Sequence, residues 1–335
     1  MNKVPHFSHW LVLPRLRIQN ANAVSSPLTH GFPSMTAFLG QMWALERRAA
    51  AAGLDWQFNA MGVVSHSHEE QVVKQAYRGA VTSFCLTRNP VDKSGSTAAI
   101  VEEGRIHLEV SVVYAIYSDS LLVANKDQTQ TQIDLVEDIV NTMRIAGGSV
   151  LPRARVRTHR PFVLPWHKDD ERHVTLRKFR RRLLPGYFLL SRDDLLEQRL
   201  RDMQDANSNA TRLDALLSLS RINWRYAPDA EPRDSKEISD WQSDRKGQGW
   251  IVPMPVGYGA LSEVYSPGEV INARDPRTPF RFVESLYSVG EWRGVHRLQT
   301  PEQILWWADS QPEAGSYRCR NVGLSTSPLP EVAFS

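Results

Sequence analysis

The sequence predicts an α+β fold: a ferredoxin-like, RRM-like domain with a helical insertion and a further β-rich C-terminal region. Three observations support this prediction. Residues 10–157 show the order strand, helix, two strands, helix, strand, which is typical of ferredoxin-like and RNA-recognition domains. Residues 165–245 are dominated by helical periodicity, and strand-like sequence with frequent Gly and Pro returns after residue 246. The predicted regions are therefore 1–164, 165–245 and 246–335.

The first predicted unit contains a strand, a polar loop and a helix. Beyond Pro14 the apolar residues Leu16 and Ile18 alternate with polar ones, as expected of a strand with one buried face. Ser34 suits the N-cap of the next helix, and Gly53 suits its end. A polar loop before a helix N-terminus is a natural anion-binding corner, but an ordinary solvated connection has the same pattern. The polar side chains of this loop are Asn20, Asn22, Ser25, Ser26, Thr29 and His30.

The other elements of the first region follow from alternation and helical periodicity. An amphipathic helix is predicted over residues 129–146, with Gly147 as its C-cap. The turn-forming residues 89–97 predict a loop that projects from the sheet as a hairpin or flap. Strands are predicted at residues 58–66, 81–88, 105–114 and 150–157.

The later regions contain three predicted helices and then mostly strands. The helices are expected at residues 174–184, 193–203 and 213–219. A short helix is expected over 301–308, and its Trp306 and Trp307 are typical of a core or an interface rather than of base stacking. The strands are expected at residues 249–262, 280–289 and 316–322.

The composition indicates a folded cytoplasmic protein. Hydrophobic residues make up 41% of the 335 residues, which is enough to fill a core. No stretch approaches the roughly 20 apolar residues of a membrane span. The first residues also lack the apolar core of a signal peptide. We therefore expect a cytoplasmic location and no membrane partner.

Charge is distributed unevenly along the chain. The formal net charge is only +3, yet we count twelve Lys or Arg residues and three Asp or Glu residues in the segment 144–182. Such a basic segment is suited to a nucleic acid, to an acidic protein partner, or to solvent alone.

No pattern indicates a metal or a cofactor. His66 and His68 alternate along the chain and would share one face of a strand, but no second group of ligands accompanies them. We interpret them as solvated loop histidines. Cys85 and Cys319 indicate neither a disulfide framework nor a metal site, and the common phosphate-loop and nucleophile-elbow motifs are absent from the sequence.

Several sequence blocks are more distinctive than these patterns. They are PRLRIQNANAVSSPLTHGFPS at 14–34, LTRNPVDKSGSTAAIVEEGRIHLEVS at 86–111, MRIAGGSVLP at 143–152 and GWIVPMPVGYGALSEVYSPGEVINARD at 249–275. The blocks are long, ordered and spread over most of the chain. In them the sequence closely resembles the Csy-type, Cas-five-like subunit of the RNA-guided surveillance complex (Cascade) of type I-F CRISPR systems.

The resemblance implies a RAMP-type ferredoxin-like domain and a binding role. Proteins of this family pair with a large Csy-type subunit, cap the 5′ handle of the CRISPR RNA (crRNA) and abut the first repeated backbone subunit, and the complex then finds target DNA. The resemblance and the side-chain chemistry together suggest as RNA-binding residues Arg15, Arg17, Asn20, Asn22, Ser25, Ser26 and His30, then Arg88, Asn89 and Arg105, and then Gly147, Gly148, Ser149 and Arg153.

Two other functions remain open at this point. A metal-independent CRISPR endoribonuclease would use His30 as a base, helped by Lys93 or Tyr114. A pure protein–protein scaffold would instead use the helical insertion and the basic segment as its surfaces. Because type I-F systems have a separate endoribonuclease, the resemblance favours a subunit that is not an enzyme.

Overall fold

The structure is a computed structural model. It describes residues 4–75, 81–88, 94–96, 100–102, 104–152, 156–166, 172–226, 241–245, 247–273 and 275–324. The helices are α1 (Met35–Ala51), α2 (Asp119–Val123), α3 (Lys126–Asn141), α4 (Arg172–Leu183), α5 (Asp193–Ala206) and α6 (Arg212–Ser220). Short 3-10 helices lie at Arg157–His159, Val295–Arg297 and Pro301–Ile304.

The strands of the first half are β1 (His9–Asn22), β2 (Val24–Ser26), β3 (Thr29–His30), β4 (Gln57–Glu70), β5 (Val72–Gln75), β6 (Val81–Phe84), β7 (Leu86–Arg88), β8 (Ile100–Glu102), β9 (Arg105–Tyr117), β10 (Arg144–Ile145), β11 (Gly148–Leu151) and β12 (Phe162–Pro165). Those of the second half are β13 (Tyr187–Ser191), β14 (Trp224–Tyr226), β15 (Trp241–Ser243), β16 (Trp250–Ala260), β17 (Val283–Gly294), β18 (Trp306–Gln311) and β19 (Ser316–Asn321).

The fold is mixed α/β, with one large antiparallel sheet. Its N-terminal part has the order β11-β1-β9-β4, with every neighbouring pair antiparallel. Helix α1 connects β1 to β4, and α3 lies between β9 and β11. Both helices pack on one face of the sheet, where Leu16, Ile18 and Val110 meet Phe38 of α1 and Val136 of α3. The alternation of Leu16 and Ile18 with polar residues is therefore explained by burial of this face.

The second half of the sheet closes into a ring of strands. Pairing runs from β4 through β13, β17, β16, β19 and β18, and returns to β4 where Trp306 lies opposite Met61. The Trp306 indole N–H donates to the Leu189 carbonyl at 3.1 Å, which ties β18 to β13 across the ring. At Gly257 a β-carbon would lie 2.0 Å from the Tyr317 carbonyl oxygen, so the close approach of β16 and β19 requires glycine there.

The sheet face opposite α1 and α3 is covered over its first half. Trp10 and Val12 of β1 pack against Phe179 and Leu183 of α4 in a second buried cluster. The Trp10 and Phe179 rings meet edge to face, with centroids 5.3 Å apart. RNA-recognition domains stack bases on this face of their sheet. Here α4 occupies that face along the N-terminal half of β1.

Most predicted elements are confirmed, with shifted boundaries, but several details differ from the prediction. The helix expected over 129–146 ends at Asn141. Gly147 is not its cap but follows Ala146 in a two-residue turn between β10 and β11. Both turn residues have positive φ, 48° and 79°, as a type I′ hairpin turn requires. Strand β11 includes only the start of the strand expected over 150–157, since it ends at Leu151 and a 3-10 helix begins at Arg157, while residues 153–155 lie outside the described residues.

Two further corrections concern the C-terminal half and the polar loop. The helix expected over 301–308 is only a 3-10 turn, because Trp306 and Trp307 enter β18 and are buried in the core. The core prediction for the two tryptophans is confirmed. The segment expected as a polar loop is mostly strand, since Asn20 and Asn22 end β1 and the residues that follow form the β2–β3 hairpin. Strand β13 was not predicted.

Candidate nucleic-acid interface

A groove of about 730 Å³ runs along one face of helix α1. Its floor is made by small residues, Ala37, Gly40 and Ala44, which recur at helical spacing. The turn between β10 and β11 forms one wall, and Tyr258 of β16 lies on the lining as well. The complete lining is Asn22, Ser25, Pro33, Ser34, Thr36, Ala37, Gly40, Gln41, Ala44, Arg144, Ala146, Gly147 and Tyr258.

One end of the groove is the N-terminus of α1. Ser34 caps the helix as predicted, because its hydroxyl accepts the Thr36 backbone N–H at 3.1 Å. The first turn contains no acidic residue, so nothing in it offsets the partial positive charge of the helix end. An anion in this part of the groove would therefore be stabilised.

Arg144 supplies a full positive charge to the same groove. It lies on β10 opposite Ser149, and the turn at Ala146 and Gly147 fixes the short hairpin that carries it. Its side chain is exposed, and within the described residues it forms no ion pair. Arg144 is therefore available to a phosphate group. Sequence reasoning missed it, although it lies in the distinctive block 143–152.

Tyr258 offers an aromatic surface to the groove. Its side chain is about two-fifths exposed, at 41%, and its ring stacks on that of Tyr317, with centroids 6.3 Å apart and an interplanar angle of 29°. Its hydroxyl lies 3.5 Å from the Thr36 hydroxyl at the start of α1. A ring held in this way is suited to stacking against a nucleotide base. Apart from its place in the block 249–275, no sequence signal distinguished Tyr258.

Three of the predicted RNA-binding residues meet in this groove. Asn22, Ser25 and Gly147 all belong to its lining, although Gly147 is distant from the other two in sequence. The Asn22 side chain also bonds both backbone groups of Val24. The Ser25 hydroxyl lies 2.7 Å from that of Thr29. These two side chains are thus held in defined positions by the β2–β3 hairpin.

Other predicted residues near the groove have packing roles. Ser26 is buried, and its hydroxyl lies 2.7 Å from the Thr29 hydroxyl inside the hairpin. Gly148 begins β11 close to the end of its neighbour β1, and a β-carbon there would be 2.7 Å from the Ala21 nitrogen. Ser149 is exposed on β11, opposite Gln19.

The predicted arginines lie elsewhere. Because Leu16 and Ile18 face the helices, Arg17 projects from the opposite face of the sheet, where it is exposed and lies opposite Glu109. Arg15 has a φ of 55° and donates to the Glu109 carboxylate at 2.7 Å and to the Leu184 carbonyl at 3.2 Å. Arg15 therefore holds the segment before β13 against the sheet.

The remaining predicted residues do not form a common site with the groove or with the sheet face around Arg17. The Asn20 N–H donates to the ring of His107 at 3.1 Å. His30 Nδ1 lies 2.8 Å from a Glu70 carboxylate oxygen, and its ring meets Phe84 edge to face. Arg105 begins β9, paired with Asn22. The Arg88 side chain, Asn89 and Arg153 lie outside the described residues.

Tyr114, one of the two residues proposed to assist His30 in RNA cleavage, is not accessible. Tyr114 is fully buried, and its hydroxyl donates to the Gln41 side chain at 2.8 Å, so it has no access to RNA. Lys93, the other proposed helper, lies outside the described residues. Among the predicted catalytic groups whose side chains are described, only His30 is exposed.

His66 is not a solvated loop histidine, contrary to the sequence prediction. It lies within β4, with Nδ1 2.6 Å from the Pro185 carbonyl and Nε2 2.6 Å from the Ser111 hydroxyl. Because a carbonyl only accepts, Nδ1 carries the proton and Nε2 accepts from Ser111. The Ser111 oxygen in turn accepts the Arg15 backbone N–H at 3.0 Å. Burial lowers the pKa of His66 to about 4, so the ring is neutral in the folded protein.

The low pKa of His66 predicts a pH-dependent stability. As the pH falls from about 6.5 toward about 4, the unfolded chain takes up a proton that the folded His66 refuses. The free energy of unfolding should therefore decrease by up to about 3 kcal/mol over this window. Urea unfolding across this pH range should show a weaker decrease in His66→Gln. The matched variant His68→Gln, exposed on the same strand, should keep the wild-type profile, and an unchanged profile in His66→Gln would contradict the assignment.

The part of the chain that the structure describes contains no group of three or more His, Cys, Asp or Glu residues that could hold a metal ion. Over the same residues, no helix is both long and apolar enough to cross a membrane.

Comparison with known proteins identifies the family. The family model described as CRISPR-associated protein (Cas_Csy2) matches residues 11–319. The chain belongs to the Csy2 family. The CRISPR-associated protein Csy2 of Pseudomonas aeruginosa (strain UCBPP-PA14) is 45% identical to it over 312 residues, which cover 92% of this chain and 94% of that relative. The resemblance to the Csy-type subunit of type I-F CRISPR systems is therefore confirmed.

The Csy2 match includes the whole groove. Every lining residue, from Asn22 to Tyr258, lies inside the matched range 11–319. The sheet surface around Arg17 and the helix α4 lie inside it too.

Proposed function

We propose that this chain is a non-catalytic subunit of a type I-F CRISPR surveillance complex and that its groove holds the 5′ handle of the crRNA. In this role it pairs with the large Csy-type subunit, abuts the first backbone subunit and supports target DNA recognition in antiviral defence. The observation that carries the proposal is the meeting of Asn22, Ser25 and Gly147 with Arg144 and Tyr258 in one groove. Membership of the Csy2 family supports it.

The chemistry of the groove fits single-stranded RNA. The α1 N-terminus and the Arg144 guanidinium suit phosphate groups, and the Tyr258 ring suits a base that is not paired. The small floor residues Ala37 and Gly40 leave room for a chain to lie along the helix. The side chains of Asn22 and Ser25 can hydrogen-bond to sugar or base edges.

We also propose a ferredoxin-like domain of the RAMP type, made by residues 1–164, with 165–245 as an insertion and 246–335 completing the fold. The order β11-β1-β9-β4, with helices α1 and α3 on one face, supports the first part. Strand β13 lies within the proposed insertion yet pairs with both β4 and β17. The insertion is therefore built into the sheet at this point.

A scaffold and an endoribonuclease remain the other candidate functions. The capping role is favoured over both because three of the predicted handle residues share one groove with Arg144, which forms no ion pair within the described residues, whereas His30 is engaged with Glu70. Incubation of the full chain with repeat RNA in EDTA distinguishes the nuclease. We expect the RNA to remain intact, and cleavage that His30→Ala removes would establish the nuclease instead.

Arg144→Ala provides the direct test of the groove. Retention of handle-bearing RNA by the full chain, co-expressed with a large Csy-type subunit, should weaken about tenfold, because one phosphate contact is lost. The slope of log K against log salt should also become shallower by about 1. RNA retention by Arg17→Ala tests separately whether the exposed sheet surface around Arg17 contributes to binding.

Arg201→Ala, which removes an exposed arginine from α5, is the matched control and should bind as the wild type does. Equal losses for Arg144→Ala and Arg201→Ala, or no loss when the RNA handle itself is removed, would contradict the capping proposal.

A further inference from the structure

Helix α4 carries the densest part of the basic segment. Its sequence, RHVTLRKFRRRL, contains six Arg or Lys residues and no Asp or Glu. The helix lies on the sheet face opposite α1 and α3, through its contacts with Trp10 and Val12. It is therefore separate from the groove, which lies along α1.

The orientation of α4 is set by its apolar residues. Thr175, Phe179 and Leu183 recur every four residues and are buried against the sheet. Helical geometry then directs Arg177 and Arg181 to the opposite side, where both are exposed. The four-residue interval places these two cations about 6 Å apart along the helix axis.

Neighbouring segments extend this surface. The basic face of α4 consists of Arg177, Lys178 and Arg181, and exposed Arg160 and Arg297 lie on segments that contact the helix. Arg180 is also exposed, although its guanidinium donates to the Leu298 carbonyl at 2.7 Å. Within the described part of the chain, Arg160, Arg177, Lys178, Arg181 and Arg297 form no ion pair with a carboxylate. No carboxylate of the described residues therefore offsets their charges.

The surface suits a phosphate backbone rather than unpaired bases. Phe179 is buried, and the Arg182 guanidinium covers the Phe162 ring, with 4.6 Å between the guanidinium carbon and the ring centroid. Stacking platforms for single strands need an exposed aromatic ring, which these two do not provide. Closely spaced cations without aromatic rings match the regular charge of a duplex.

We propose that the basic face of α4 binds the sugar–phosphate backbone of duplex DNA, independently of base sequence. The choice of DNA rests on the proposed function, because recognition of target DNA brings a duplex to the complex. The contact itself rests on the charge and geometry of α4 and does not involve the RNA groove.

Charge reversal tests the proposal. The variant Arg177→Glu, Lys178→Glu, Arg181→Glu is compared with Lys126→Glu, Arg201→Glu, Arg277→Glu, which makes the same charge change at exposed sites elsewhere. Binding of the full chain to a random-sequence DNA duplex is measured by fluorescence anisotropy between about 50 and 200 mM salt. We expect the α4 variant to lose at least about tenfold in affinity and its salt slope to shrink by about 3, with a much smaller loss in the control.

Three outcomes would overturn the proposal. The first is an equal loss in both charge-reversal variants, and the second is stronger competition by an RNA duplex than by the DNA duplex. The third is unchanged DNA affinity in the α4 variant. If that variant also fails to assemble with the other Csy subunits, the face binds an acidic protein instead. Glutamine replacements at the same α4 positions serve as a second variant if charge reversal impairs folding. Handle-RNA retention, measured on the same variants, reports separately on the groove and should not change.

Discussion

Replacing Gly40 by Trp should strongly weaken handle-RNA retention without unfolding the protein. Gly40 lies on the groove floor, and a β-carbon there would meet no heavy atom within 4 Å. The first side-chain atom therefore has open space, and a longer side chain from this position is directed into the groove. Its indole would occupy the space that we assign to RNA, and we expect the affinity for handle-bearing RNA to fall at least about a hundredfold, or about 2.7 kcal/mol.

The effect of this position on stability can be measured separately from its effect on RNA binding. Gly is about 1 kcal/mol less favourable than Ala inside a helix, so Gly40→Ala should raise the melting temperature. Thermal unfolding and RNA binding measured on Gly40→Ala and Gly40→Trp separate the two effects. Ala50→Trp, at an exposed position on the same helix, is the matched control. If Gly40→Trp binds RNA as tightly as Ala50→Trp, the groove is not the RNA site.

Replacing Glu291 by Ala should destabilise the fold by about 3–5 kcal/mol. Glu291 is 3% exposed on β17, where its carboxylate accepts from the Arg192 guanidinium and, at 2.8 Å, from Arg293. Arg192 is itself buried and also donates to Asp194 at 3.0 Å. Removal of the Glu291 carboxylate would leave the buried Arg192 charge only partly compensated, which is the costly case for a buried ion pair.

An exposed ion pair on the neighbouring helices provides the comparison. Glu197 of α5 accepts from Arg212 of α6, and each side chain is more than two-fifths exposed. Glu197→Ala should therefore lower the free energy of unfolding by no more than about 1 kcal/mol. Urea unfolding of the two variants checks the contrast. Similar losses would mean that the Arg192–Glu291 pair is not a buried structural contact.

Local patterns were sufficient for the elements whose conformation depends mainly on near neighbours. The strand around Leu16 and Ile18 and the Ser34 cap of α1 follow from alternation and side-chain chemistry, and both are present. Elements that depend on distant partners were missed or misassigned. Trp306 is in a strand because β4 and β19 are available to pair with β18, and no local pattern reports those partners.

The site was only partly predictable for the same reason. Asn22, Ser25 and Gly147 could be selected by chemistry and resemblance. Their proximity, however, depends on the contact of the β10–β11 hairpin with the end of β1, where the Asn22 N–H donates to the Ala146 carbonyl. Tyr258 reaches the groove from the other half of the chain. Arg15 looked as available as Arg17, because its positive φ and its bonds to Glu109 and Leu184 are not visible in sequence.

Strand β4 is shared by the two halves of the molecule. One edge pairs with β9 along most of its length, and the other edge pairs with β13 and β18. The halves therefore have no flexible joint at this strand, and neither can separate without leaving an edge of β4 unpaired. For assembly this means that any movement of one half against the other has to break backbone hydrogen bonds along β4, so we expect the ring of strands and the groove along α1 to move together.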